Sequence, residues 1–187
     1  GTSFAVTVSS DTALGNRVQF EMGPLPKNAV ISFADEWGHI AHQTTWSQLL
    51  LRHQKTSNDT LTFWGPVIEG ESTKIEVYLP GKDTQPSVPV ISARKLSHMV
   101  YSPADDSVDT RLADIGASLT CQRDAVCDGI WSIERQATGM LWYTTSEGAT
   151  YQISAILLNN TRQDFTPYLL TSGTAIDSQA LANTIET

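Results

Sequence analysis

The segment Lys74-Ile75-Glu76-Val77-Tyr78-Leu79 alternates apolar and polar side chains with a period of two, the pattern of a strand that buries one face. Short runs rich in β-branched and aromatic residues recur at 4–8, 30–33, 60–64 and 88–91. Turn chemistry punctuates them at Pro24-Leu25-Pro26, Gly65-Pro66, Pro80-Gly81 and Gln85-Pro86. An antiparallel β-sandwich of jelly-roll type packs such strands, and the first hundred residues are expected to form one. A single short helix is expected at Trp46-Ser47-Gln48-Leu49-Leu50-Leu51.

Around residues 101–111 the composition shifts to Ser, Pro, Asp and Ala, which reads as a linker. Asp105, Asp106 and Asp109 lie close together there, but the ligand spacing and turn glycine of a calcium-binding EF-hand loop are missing. The chain therefore divides into a domain over 1–103, a linker over 104–114 and a second domain over 115–187. In the second, residues 129–132, 137–143, 150–158 and 167–171 read as strands, and 177–185 carry N-cap chemistry followed by helix formers.

A chain of 187 residues with 40% hydrophobic and 17% charged side chains can bury a core. Its net charge of −8, with no cluster of Lys or Arg, excludes a nucleic-acid or anionic-membrane binder. No apolar run approaches the roughly 20 residues of a membrane-spanning helix, and no signal-peptide pattern opens the chain, so no membrane insertion is expected. No cofactor is expected either.

Cys121 and Cys127 are the only cysteines. They can bridge each other across a short loop, or each can pair with a partner outside the chain. Zinc is disfavoured because no second pair of ligands lies nearby. His39 and His42 have H-x-x-H spacing but no third ligand, and read as surface or hydrogen-bonded histidines. A hydrolase built on His98 would need a nucleophile turn such as G-x-S-x-G, and none occurs. Trp37, Trp46 and Trp64 read as packing residues rather than a sugar-stacking platform.

The stretch Asp114-Ile115-Gly116-Ala117-Ser118-Leu119-Thr120-Cys121, with Cys127 after it, resembles the opening of the mature enzyme in the lysyl endopeptidase family of secreted bacterial, trypsin-type serine proteases. Leu157-Leu158-Asn159-Asn160-Thr161 and Thr166-Pro167-Tyr168-Leu169-Leu170-Thr171 are similar to that family's turn and to the strand that delivers its catalytic histidine. Phe63-Trp64-Gly65-Pro66, followed by Ile75-Glu76-Val77-Tyr78-Leu79-Pro80, resembles its pro-region. The resemblance implies an all-β chain: a pro-region-like sandwich followed by the first part of a trypsin-like barrel.

It also implies that Thr174 stands where the catalytic histidine is expected, and that Ala175 and a position near Ile153 stand where a disulfide is expected. Threonine has no basic site near neutral pH and cannot accept the proton of a serine nucleophile. No G-D-S-G nucleophile turn occurs in these residues. No catalytic residue is therefore assigned. The expected function is that of a secreted or periplasmic protease homologue, inactive, which binds a protein partner, or of the front piece of a larger protease completed by a missing segment or a second chain.

Overall fold

The alternating segment is strand β6 (Ser72–Leu79) of a computed structural model that describes residues 1–53, 60–81, 90–100 and 129–186. The described residues form two compact units. The first is drawn from Gly1–Ser102, Thr144–Thr150 and Glu186, and the second from the remainder. The linker, the three acids within it, Cys121 and Cys127 lie outside the described residues.

The first unit is a sandwich. Its elements are β1 (Thr2–Ser9), β2 (Gly15–Gly23), β3 (Val30–Ala34), β4 (Ile40–Thr45), helix α1 (Trp46–Arg52), β5 (Leu61–Glu69), β6 and β7 (Val90–Met99). One sheet has the order β1-β6-β3-β4 and the other β5-β2-β7, and every pairing in them is antiparallel. In β6 the side chains of Thr73, Ile75, Val77 and Leu79 are buried, while Lys74, Glu76 and Tyr78 face outward. Ile75 pairs with Val6 and Phe33, and Val77 with Phe4 and Ile31, so apolar residues stack across the strands. The core between the sheets holds Val18, Phe20 and Met22 of β2 with Ile31, Phe33, Leu61 and Phe63.

Helix α1 closes this core with Trp46 and Leu49. A capping box fixes its start: the amide of Gln48 donates to Thr45 Oγ1, and the amide of Thr45 donates to Gln48 Oε1. Two strands were not expected. In β2, Val18, Phe20 and Met22 keep the two-residue period, but Arg17, Gln19 and Glu21 dilute it. In β4 every residue from Ile40 to Gln43 is exposed, as befits a polar strand at the sheet edge.

Gly65-Pro66 does not end a strand, as the turn signal suggested; it lies inside β5. The ladder against β2 skips there, from Arg17 opposite Val67 to Gln19 opposite Trp64. A bulge accepts a proline because the ladder is already interrupted. Gly65 also eases the packing here: a Cβ at this position would sit 3.2 Å from the rings of both Phe20 and Phe33, tighter than ordinary contact.

The second unit contains a 3-10 turn at Gly129–Trp131, helix α2 (Ser132–Gln136), strands β8 (Thr138–Thr144), β9 (Thr150–Leu158) and β10 (Tyr168–Leu170), and helix α3 (Gln179–Ala182). The strand expected at 129–132 is thus helical. Glu134, Arg135 and Gln136 are helix formers, and Ile130 and Ile133, which would have filled a sheet face, are about four-fifths exposed. Helix α3 is shorter than the expected span and is capped by Ser178 rather than Asp177. The strands form one sheet of order β10-β9-β8, and no barrel closes among the described residues.

Candidate functional site

Strand β10 runs antiparallel to β9, with Tyr168 opposite Leu158 and Leu170 opposite Ile156. Just beyond it, Thr171 Oγ1 donates to the Ser154 carbonyl at 2.9 Å, which keeps the chain beside β9 for one more residue. The backbone then turns through Gly173, Thr174 and Ala175. Ser172 organises this turn. Its Oγ lies 2.7 Å from Thr174 Oγ1 and accepts from the Thr174 amide, and its carbonyl accepts from the amides of Ala175 and Ile176. Thr174 is exposed, and Ile153 and Ala175 are partly buried. The hydroxyl pair of Ser172 and Thr174 donates and accepts hydrogen bonds, but neither oxygen is a base at neutral pH.

In the sheet that carries this turn Leu141 of β8 and Ala155 of β9 are buried, but much of the apolar surface of β9 and β10 is exposed among the described residues. Ile156, Leu157 and Leu158 of β9 are 46%, 47% and 41% exposed, and Tyr168, Leu169 and Leu170 of β10 are 53%, 45% and 55% exposed. Successive strand residues point to opposite faces, so both faces of the sheet present apolar side chains. The loop between these strands is stiffened by Asp164, whose Oδ1 accepts from the Thr166 amide and from Asn160 Nδ2. Hydrogen bonding from the Thr166 side chain, then from Asn160 and the Thr166 amide, holds the Asp164 carboxyl down at about 2. Gln163 and Phe165 on either side take left-handed backbone conformations, and the Phe165 ring stands almost fully in solvent.

In the first unit the sequence reading missed a buried charge. Arg17 is out of phase with Val18, Phe20 and Met22 and so faces away from the sandwich core, yet its side chain is only 2% exposed. Its Nε donates to the Gly65 carbonyl at 2.9 Å, and its guanidinium donates to Thr144 Oγ1 at 2.8 Å. Thr144 Oγ1 in turn shares a hydrogen bond with Thr150 Oγ1. The Glu186 carboxylate lies 3.5 Å from Arg17 Nε and accepts from the Val67 amide at 2.8 Å. Burial raises the Glu186 pKa against the pull of Arg17 and the Val67 amide, and burial lowers that of Arg17. A charge removed from water in this way needs such partners to be tolerated.

The histidines serve local roles. His39 Nδ1 lies 3.0 Å from Asp35 Oδ2, and Asp35 Oδ1 accepts from the Trp37 and His39 amides, closing a turn. The His42 ring packs on Phe33, and His53 packs on Phe63, with burial lowering the His53 pKa. His98 Nδ1 shares a 2.8 Å hydrogen bond with Ser10 Oγ, a pairing the sequence did not suggest. Among the described residues no carboxylate bonds to His98, so the third member that would orient a catalytic imidazole is missing from the pair. Trp46 is buried in the core and Trp64 is partly buried, leaving Trp37 as the exposed one of the three.

The lysyl endopeptidase N-terminal domain model matches residues 1–100, and the lysyl endopeptidase C-terminal domain model matches residues 115–187. The chain belongs to the lysyl endopeptidase family. It is similar to the lysyl endopeptidase of Pseudomonas aeruginosa, 26% identical over 178 residues that cover 91% of this chain and 36% of that protein. It therefore spans about a third of the length of this curated relative. No solved structure matches. Within the family's frame the sandwich falls in the stretch matched by the N-terminal domain, and β8, β9 and β10 fall in the stretch matched by the C-terminal domain.

Proposed function

We propose that this lysyl endopeptidase-family chain is the front part of a secreted or periplasmic protease-like protein. Its sandwich folds as a pro-region-like module, and its three-stranded sheet is completed by further strands, from the same protein or from a partner. The supporting observation is the run of exposed apolar residues on both faces of β9 and β10. An isolated sheet with two uncovered apolar faces is a poor end state in water, whereas barrel strands have one face in a core and their edges paired.

The same reading holds that these residues do not hydrolyse peptides by the imidazole route. Thr174 occupies the place that the family resemblance gives to the base, and Ser172 engages its hydroxyl. The test has two parts. With lysyl ester substrates and a serine-directed organophosphonate, the purified chain is expected to show neither turnover nor labelling; saturable turnover with labelling overturns the inactive reading. In hydrogen exchange, the β8 and β10 amides are expected to exchange far faster than those of β2 and β6. Equal protection in both sheets overturns the reading of an incomplete barrel.

A further inference from the structure

Strand β8 reads Thr138-Gly139-Met140-Leu141-Trp142-Tyr143-Thr144, with neither a charge nor a proline to discourage pairing. It stands at one end of the β10-β9-β8 sheet, and among the described residues no strand pairs with its other side. Its ladder with β9 fixes which backbone groups face that side. The Thr145 amide donates to the Ala149 carbonyl and the Leu157 amide to the Ala137 carbonyl. Alternate residues between them, Gly139, Leu141 and Tyr143, therefore turn their peptide groups toward β9, and the N–H and C=O groups of Met140 and Trp142 point outward.

We propose that β8 pairs with β8 of a second copy of this chain, antiparallel and in register about Leu141. The inference rests on the reading of this sheet as open, and it names the partner at one edge. The sequence of β8 is self-complementary in that register. A two-fold axis through Leu141 gives a closed contact in which each copy supplies the same residues. Met140 of one copy and Trp142 of the other form a hydrogen-bonded pair, twice over, so the outward backbone groups find partners. The same pairing sets a thioether beside an indole, a favourable contact of sulfur with an aromatic ring. Gly139 falls opposite Tyr143 of the second copy. No heavy atom lies within 4 Å of where a Cβ on Gly139 would be, so an aromatic ring can cover that opening. Moving the axis to Met140 or Trp142 pairs that residue with itself and loses the match of Gly139 with Tyr143. Two copies with a net charge of −8 each repel overall, and an uncharged strand is where they can approach. The two three-stranded sheets then join into one, in which β8 is no longer an outer strand.

Sedimentation equilibrium and amide hydrogen exchange of the 187-residue chain, carried up to about 1 mM, test the pairing. A monomer–dimer equilibrium is expected, with a dissociation constant on the order of 100 µM or tighter. As the dimer fills, exchange at Met140 and Trp142 is expected to slow by about fivefold or more, while Gly139, Leu141 and Tyr143, which face β9, change little. Met140→Pro removes an outward N–H without touching the β9 ladder and is expected to abolish dimerisation. Trp142→Lys places a charge on the edge and is expected to weaken it at least about tenfold, which covers the case in which proline distorts β8. Two variants that both dimerise like the parent overturn the proposal, as does a dimer whose protection maps to another strand. If the chain stays monomeric and Met140 and Trp142 exchange fast at every concentration, the pairing fails and the open sheet stands. If both amides are already slow in the dilute monomer, the open sheet fails with it.

Discussion

Two sheets of similar hydrophobicity have different fates in this chain. In the sandwich, Phe20, Ile31 and Val77 are fully enclosed because the second sheet and α1 stand over them. In the sheet of β8, β9 and β10, the equally apolar Ile156, Leu157, Leu169 and Leu170 remain about half in solvent. The sandwich strands alternate, spending one face on the core and one on water. β9 ends in a continuous apolar run, Ile156-Leu157-Leu158, a composition suited to a strand covered on both sides. The contrast separates a module that closes its own core from a sheet whose apolar residues stay half exposed, and the proposed completion by further strands rests on that difference.

The largest expected effect tests this contrast directly. Phe20→Ala should cost about 3–5 kcal/mol through the cavity it leaves, read from hydrogen exchange of β2 and β6 amides or from chemical denaturation. Leu169→Ala in the open sheet should stay within about 0.5 kcal/mol of the parent, since it removes area already exposed. A comparable loss at both positions would show that β10 is covered in solution, and the contrast would fail.

The next effect concerns the buried charge that distinguishes the first unit from an ordinary sandwich. Arg17→Met should destabilise by about 3 kcal/mol, because it strands the Glu186 carboxylate where Arg17 had compensated it. Adding Glu186→Leu should recover most of that loss, since apolar replacement of both partners is often neutral. If the double variant is no better than the single one, Arg17 matters through Gly65 and Thr144 rather than through Glu186.

The smallest expected effect is a pH dependence. In the folded chain, burial raises the Glu186 pKa, so above the usual glutamate range the folded state holds a proton that the unfolded state has released. Stability from this group is therefore full at acid pH and declines as pH rises from the ordinary glutamate value through the raised one. Glu186→Gln should flatten that decline. The slope of unfolding free energy against pH for parent and variant checks it, and identical slopes would show that Glu186 titrates normally.

Much of the sandwich was legible because its signals are local. β1, β3 and β6 announce themselves by alternation or β-branching, and Thr45 with Gln48 marks the start of α1 within four residues. β2 follows the same period, but its outward residues are charged or amide-bearing and obscure the run. Gly65-Pro66 reads as a stop unless the partner strand is known, because the bulge that accommodates the proline is a property of the pairing with Arg17 and Gln19. The burial of Arg17 is written nowhere near it: its cover comes from Thr144 and Glu186, far along the chain. Thr174 was singled out by resemblance alone, whereas the Ser172 hydroxyl that engages it emerged only from the turn geometry.

Glu186 has a second consequence. β5 is an outer strand of its sheet, and such strands expose unpaired amides to which other chains can add. On β5 the Val67 amide is already occupied by the Glu186 carboxylate, and its neighbour Pro66 has no amide proton to offer. The margin of the sandwich is thereby made a poor template for intermolecular ladder growth, and the residue that offsets a buried guanidinium also serves as a guard against aggregation.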